Sequence, residues 1–511
     1  MVNNNSILFQ LAHLEKLNLS SNHFNYSQIP SQVGDLLRLT HLDLSASNLY
    51  GPHHFSYKHL LEMKAPGLRS LAQNLTSLEE LLLGSVKMPS LPNTLANLSS
   101  LRRMSPKLRY LGVGNNCVLT GRLPDLNSSN PLEELQLPLT SFSGELPASI
   151  GILPSLSYLD VSNCKFSGSI LASLADLSNL KYLNVSINPF TAQSISFFSW
   201  VGKKKKLTTL APEKINLYGK IPPSIGNSSQ PMELNFADNQ LSCAIPSQLM
   251  NLTQLTFLVL ASNRLSGSVP SWFMNMTRLV MLELAVKKFH GEIPSSISQL
   301  QNLKGPKSSH AFLKLQILDL SSNAFIGKLP MEFFQSWNAM KFETRNFTYM
   351  HRDLYLPIYL VVIYKGLKWY YPKISEVFTI IDLSRNLLKG EIPSAIGDVK
   401  GLQGLNLANN SLTSHSPSSL ENLTTLEQIP QKLTELGFLS FLNVSHNNLT
   451  KSMPRGKRFD TFLNDLGSPI EPDWKIVLLG HGSGLVIGVA IENAFISRKH
   501  DWFEGNAKRK R

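Results

Sequence analysis

The chain has 511 residues, 42% of them hydrophobic and only 16% charged, against roughly 25% charged in an ordinary soluble domain. So little charge excludes a disordered chain and a polar coiled coil. The 30 Gly and 29 Pro are close to ordinary usage and exclude a collagen-like or proline-rich chain. The formal net charge of +13 sits largely in two runs, Lys203 to Lys206 and the tail Arg498 to Arg511. Two local runs read as a solvated loop and a membrane-flanking tail, not as the basic stripe of a nucleic-acid binder. Cys117, Cys164 and Cys243 are far apart and form no C-x-x-C, so a zinc or thioredoxin-like site is unsupported and one disulfide stays open.

The N-terminus, Met1-Val2-Asn3-Asn4-Asn5, has no basic start, and Leu11-Ala12-His13-Leu14 already begins a repeat, so no secretory signal is visible. From there one period dominates. Leu135, Leu159 and Leu183 are 24 residues apart, as are Leu210, Leu234, Leu258 and Leu282, and later Ile381 and Leu405. Each unit reads L-x-x-L-x-x-L-x-L-x-x-N-x-L-x-G-x-I-P with small variations, for example Leu255, Leu258, Leu260, Asn263, Leu265, Gly267, Val269 and Pro270. The L-x-L pair alternates in and out, which predicts a short strand with both leucines buried. The Asn sits where the chain turns out of the strand, and a buried amide there can satisfy backbone groups of the neighbouring coil. Gly and Pro punctuate the returning arm. One repeat cannot bury its own apolar face, so the repeats must stack. The spacing is irregular at Leu42 to Leu81 (39 residues), Leu282 to Leu318 (36) and Leu405 to Leu442 (37), which predicts irregular coils there.

These repeats resemble the plant-type extracellular leucine-rich-repeat family. The I-P and L-P ends are specific to that subclass, and Gly390-Glu391-Ile392-Pro393 is a clean example. The fold expected is an α/β repeat solenoid, a curved right-handed leucine-rich-repeat superhelix with a parallel concave sheet, plus a C-terminal transmembrane helix. Residues 1–340 hold about twelve repeats, some incomplete. Residues 341–377 break the period and are rich in aromatics. They resemble the "island" of plant receptors, and the run Tyr355 to Tyr364 is β-prone. Residues 378–460 resume the repeats and residues 461–473 form a juxtamembrane linker.

Residues 474–496 are the one membrane candidate. Ile476 to Ile491 is apolar apart from His481 and Ser483, a span needs about 20 residues, and Glu492 near the edge costs less than about 2.5–3.5 kcal/mol. Acids Glu471 and Asp473 precede the segment and the basic tail 497–511 follows it, the positive-inside arrangement for a cytoplasmic C-terminus. Gly480, Gly484 and Gly488 fall on one helical face, where a second helix can approach closely. The resemblance implies a receptor-like protein, a single-pass type I protein of the plasma membrane that lacks a kinase and pairs with an adaptor or co-receptor kinase through this face and the post-island repeats. The family's cysteine-bearing caps are missing, which points to a truncated or decayed member.

No G-x-S-x-G, H-E-x-x-H, Walker loop or kinase signature occurs, so neither catalysis nor a cofactor or metal is expected. The expected function is recognition of an extracellular peptide, protein or small ligand, in defence or development, with signalling through a partner kinase. The alternatives are a soluble leucine-rich inhibitor or scaffold of cell-wall enzymes and a non-functional remnant. Candidate contacts on the concave face are Asp160, Asn184, Asn235 and Glu283, outward positions of the L-x-L strands. Candidate contacts on the island are Tyr355, Tyr359, Lys365, Gly366, Tyr370 and Tyr371, since amphipathic rings give contact area at low entropic cost. About fifteen N-x-S/T sequons occur, among them Asn74, Asn97, Asn251, Asn275 and Asn422, and they fit a secreted glycoprotein even though N-L-T belongs to the repeat itself.

Overall fold

In a computed structural model of the chain, the described residues are 11–20, 22, 31–45, 75–86, 106–170, 172–228, 230–286, 288–294, 314–331, 334, 360–364, 367–371, 379–413, 441–449 and 477–479. Two compact units divide the chain: Met1–Ser266 with Tyr349–Ser375, and Gly267–Thr348 with Glu376–Arg511.

One coil of the first unit shows how the repeat builds itself. Pro246 (φ −68°) caps the short 3-10 helix Ser247–Asn251, whose Leu249 is buried. Its ring fixes φ, so the returning arm enters the helix preorganised. The strand Phe257–Val259 follows, with Leu258 and Leu260 fully buried. Each buried leucine contributes roughly 1.5–3 kcal/mol relative to exposure. The backbone then turns through Ser262 at φ +54° and brings Asn263 inside. Asn263 Nδ2 donates to Phe236 O of the preceding coil at 2.9 Å and to Leu260 O and Ala261 O of its own at 3.0 and 3.1 Å. Its Oδ1 accepts from Leu241 N–H at 3.0 Å. One amide thus closes four backbone groups of a buried turn.

The same arrangement recurs at Asn188 and Asn239 in this unit, and at Asn323, Asn386 and Asn410 in the second. The residue before each of the six (Ile187, Asp238, Ser262, Ser322, Arg385 and Asn409) has φ between +53° and +55°. A branched or bulky side chain is costly in that region, so the amide ladder must outweigh the strain at each turn. Thr140 and Cys164 replace the asparagine in two coils. Thr140 Oγ1 donates to Leu137 O at 2.9 Å and Cys164 Sγ to the same carbonyl at 3.1 Å. The open cysteine question is answered here: no disulfide joins the three, and burial pushes the Cys164 thiol up to about 11.

In the first unit the strands Lys16–Asn18, His41–Asp43, Glu80–Leu82, Tyr110–Gly112, Glu134–Gln136, Tyr158–Asp160, Tyr182–Asn184, Thr209–Ala211, Glu233–Asn235 and Phe257–Val259 form a parallel ladder. The central leucines pair in register, Leu17 with Leu42, Leu42 with Leu81 and so on to Leu234 with Leu258. In the second unit Met281–Glu283, Ile317–Asp319, Ile380–Asp382, Gly404–Asn406 and Phe441–Asn443 do the same. The irregular intervals do not break these ladders. Leu42 pairs directly with Leu81, Leu282 with Leu318 and Leu405 with Leu442. Each long interval is one step of the ladder, because strand pairing constrains only the strand, and the extra length falls in the arm between strands.

Three features differ from expectation. Among the described residues of the first unit a second parallel ladder follows the turns from Asn116 onward, in Thr120–Gly121, Ser141–Gly144 and Lys165–Phe166, and again in Gln193–Ser194, Leu217–Lys220, Gln240–Cys243 and Arg264–Leu265. The basic run 203–206 is not wholly solvated: Lys204 is buried and donates to Ala175 O and Leu177 O, both at 2.6 Å, with its ammonium 5.5 Å from the Trp200 ring. The two carbonyls lie at the end of the 3-10 helix Ala172–Asp176 and at its exit, where helix carbonyls lack intrahelical partners, and a long flexible cation reaches them. Within the segment expected to be a transmembrane helix, Val477–Leu479 are extended and pair antiparallel with Phe441–Asn443. An unpaired sheet edge offers hydrogen bonds to any apolar, β-prone run, and Val477-Leu478-Leu479 is one. The rest of 474–496 lies outside the described residues, and among those described no helix is long and apolar enough to cross a membrane.

Candidate outward sheet face

Each strand presents the residue before and the residue after its buried leucine to the same outward face, because side chains alternate. In the first unit the residues before the leucine include Tyr110, Glu134, Tyr158, Tyr182, Thr209 and Glu233. Tyr158 and Tyr182 are register partners, and their rings stack in parallel with centroids 3.9 Å apart and planes 2° apart. Beside them Arg109 Nε donates to Glu133 Oε1 at 2.8 Å, and the Tyr110 hydroxyl donates to Glu133 Oε2 at 2.9 Å. The Arg109 guanidinium lies 5.7 Å from the Tyr110 ring centroid. Burial pushes the Glu133 carboxyl up, but the hydrogen bonds from Arg109 and Tyr110 outweigh it and hold it below its ordinary range. Gln136 Nε2 donates to Glu134 Oε2 at 3.0 Å, orienting that carboxylate.

The residues after the leucine include Asp160, Asn184 and Asn235, which sequence reading takes as ligand contacts. The structure assigns them a local task. Each Oδ1 accepts the backbone N–H two residues on: Ser162 at 2.9 Å, Ser186 at 3.1 Å and Ala237 at 3.1 Å. Asp43, Asp319, Asp382, Asn406 and Asn443 do the same. These are Asx turns that release the chain from the strand. Asp160 and Asn184 are buried, and Asn184 Nδ2 donates to the Tyr182 hydroxyl at 3.4 Å, which lies 3.5 Å from Asp160 Oδ2. Burial pushes Asp160 up to about 6. Asn235 is half-buried and donates to Glu213 Oε2 at 2.9 Å, and burial, with the charge of Asp238 adding, pushes Glu213 up to about 6. The structure therefore brings Asp160 and Asn184 together as register partners around the Tyr182 hydroxyl. The accessible surface is made by exposed Arg109 and half-buried Tyr110, Glu133, Glu134 and Tyr158, which sequence reading passes over; the alternation points to Tyr110, Glu134 and Tyr158, whereas Arg109 and Glu133 stand one residue further from the leucine.

In the second unit Glu283, Asp319 and Asp382 occupy one register row on neighbouring strands. Burial raises both aspartates above the ordinary carboxylate range, and for Asp319 the nearby charge of Asp382 adds to it. Ser384 N–H, Asn406 and the charge of Arg385 oppose the shift at Asp382 without cancelling it. A carboxyl whose folded pKa exceeds its unfolded value stabilises the fold below the unfolded pKa, and that stability is lost as pH rises through the folded one. The second unit is therefore expected to lose stability as pH rises from about 4 towards neutrality. In Asp319→Asn the amide oxygen keeps the Ser321 bond, so this variant should flatten the decline, as read by urea midpoints at pH 5 and 7.5. An unchanged slope would contradict the shared burial.

The island is represented by an antiparallel hairpin, Leu360–Tyr364 with Leu367–Tyr371, which carries Tyr370 and Tyr371 on its second strand. Tyr355, Tyr359, Lys365 and Gly366 lie outside the described residues, as do Gly480, Gly484, Gly488, Asn74, Asn97 and Asn422. Asn251 is exposed at the end of its 3-10 helix and Asn275 ends the helix Ser271–Asn275. Among the described residues no group of His, Cys, Asp and Glu could hold a metal ion.

The family model Leucine Rich Repeat matches residues 13–36, 155–177, 254–276, 314–336 and 401–423. Among curated relatives, Receptor-like protein 19 of Arabidopsis thaliana is 38% identical over 108 residues, 19% of this chain and 11% of that protein. Receptor-like protein 32 of the same plant is 28% identical over 314 residues, 56% of this chain and 35% of that protein. The chain thus spans about a tenth to a third of the relatives it matches. Among solved structures, the leucine-rich-repeat ectodomain of the Arabidopsis receptor kinase HAESA, in complex with an extended IDA peptide hormone, aligns with TM-score 0.57 and 26% identity, covering 88% of this chain and 68% of that one. The plant peptide hormone receptor RGFR1 in complex with RGF2 aligns with TM-score 0.55 and 26% identity, covering 87% and 65%. The in-register leucine ladder, the asparagine turns and these likenesses agree: the chain carries stacked leucine-rich repeats and is similar in sequence to plant receptor-like proteins.

Proposed function

We propose that this chain is the recognition part of a plant cell-surface receptor that binds an extracellular peptide or protein ligand and signals through a separate receptor kinase. The observation that carries the reading is the outward face itself. Parallel strands in strict register hold rows of side chains on a backbone whose own hydrogen bonds are satisfied, so the face is preorganised for a partner. Two solved ectodomains of like fold are described with peptide hormones bound, which supports a peptide as the ligand class. The tyrosines of the island hairpin add a second contact region; residues 474–496 anchor the chain as a helix when Val477–Leu479 leave the sheet edge, and Gly480, Gly484 and Gly488 then meet the partner kinase's helix. Asn251, exposed within Asn251-Leu252-Thr253, carries a glycan.

The test is expression of the full chain in plant cells, with carbonate washing of membranes and co-precipitation of receptor kinases before and after addition of an apoplastic peptide fraction. Retention in the membrane and ligand-dependent recovery of a kinase are expected. Release by carbonate together with no recovered kinase would overturn the receptor reading.

A further inference from the structure

Resting on that reading, we propose that the outward face of the first unit selects a basic polypeptide segment, one bearing arginine or lysine side chains. The chain as a whole is cationic at +13. The face is not. Arg109 is engaged by Glu133, and beyond that pair the strands from Glu80–Leu82 to Glu233–Asn235 carry half-buried Glu80 and Glu134 in the row before the leucine, with Glu233 in the same row but buried and accepting from Thr209 Oγ1. Lys16 occupies that row on the first strand, exposed and outside this stretch, Lys181 stands one residue before the row, exposed, and His41 lies 3.9 Å from Glu80 Oε2. The face is thus an acidic strip on a basic molecule, a charge contrast that draws cations to it and keeps them off the remainder.

The second observation is aromatic. Tyr110 and the parallel stack of Tyr158 on Tyr182 lie in the same row as Glu134. Asp160 and Asn184 hold the Tyr182 hydroxyl, so that ring is in place before any ligand arrives. Ring faces beside carboxylates suit a guanidinium, which pairs with the acid through its fork and lies flat on the ring. The six strands from Tyr110–Gly112 to Glu233–Asn235 at about 4.8 Å spacing span about 24 Å, the reach of about seven extended residues. A heptapeptide therefore suffices as probe.

The experiment is fluorescence anisotropy of the full chain with three labelled heptapeptides, alternating arginine–glycine, glutamate–glycine and serine–glycine, at 50 and 300 mM NaCl. The arginine peptide is expected to bind at least tenfold more tightly than the other two and to weaken with salt. Glu134→Gln should weaken it about threefold. Arg109→Gln, which leaves Glu133 without its counter-ion, should tighten it severalfold, a gain that misfolding cannot mimic. Equal or stronger binding of the glutamate or serine peptide, or weaker binding in Arg109→Gln, would overturn the charge selection. Kinase recovery in cells with a neutral or acidic ligand would overturn it too, while leaving the receptor reading intact.

Discussion

Asn263→Ala is expected to lower the unfolding free energy of the first unit by about 3 kcal/mol and to broaden its urea transition. The two N–H groups of Nδ2 are shared among three carbonyls and Oδ1 accepts once, all to buried backbone. Alanine leaves Phe236 O, Leu260 O, Ala261 O and Leu241 N without it, and each unsatisfied buried group costs about 1–3 kcal/mol before water relieves part of the loss. Ser262 would also stay at φ +54° without the bonds that hold it there. Asn263→Asp tests the same point from another side: it keeps the acceptor for Leu241 N–H but removes the donors, and should be nearly as damaging. By contrast Asn235→Ala removes one turn-closing acceptor and the donor to Glu213 Oε2 at a half-buried site, and should cost less, about 1.5 kcal/mol. Similar losses for Asn235 and Asn263, measured by urea denaturation followed by circular dichroism, would mean that the amide ladder is not what holds the turns.

The second large effect lies on the returning arms. Gly226 is buried in the 3-10 helix Pro223–Asn227, and a Cβ built on it would stand 2.1 Å from Gln248 O of the next arm. Gly151 and Gly202 meet Ser173 O and Ser224 O in the same way, at 2.2 and 1.8 Å. The obstacle is backbone, not a flexible side chain, so it cannot swing aside. Gly226→Ala must separate two stacked arms, at a cost of about 3 kcal/mol, the upper end for overpacking by one methyl group. Gly219, at φ +97°, has only Ser194 Oγ at 3.5 Å from its Cβ position, so Gly219→Ala tests backbone strain without the clash. Thermal melts of the two variants should place Gly226→Ala lower. The reverse order would show that the arms are not in tight contact.

The spacing of Leu135, Leu159 and Leu183 was enough to predict buried strand centres, because a period of 24 with alternating neighbours leaves one way to hide the leucines. Asn263 was legible too, as a polar residue at a fixed offset inside an apolar repeat. The candidate contacts were less so. Asp160 and Asn184 look like free outward positions in an L-x-L pattern, yet a short carboxylate or amide folds back on the N–H two residues on before it can reach a partner. Glu134, Tyr158 and Tyr182 are distributed across strands 24 residues apart, and nothing local marks two tyrosines as a stack.

Periodicity alone therefore settles which side chains go inside and where the chain must turn, since burial and backbone satisfaction act on each repeat by itself. It also bears the resemblance to plant receptor-like proteins. The ladder register across unequal intervals, the second ladder beyond the turns from Asn116 onward, the burial of Lys204 and the pairing of acids with rings on the outward face depend on which coil lies beside which. Those are long-range contacts between residues at least a repeat apart, and they exist only once the coils have stacked.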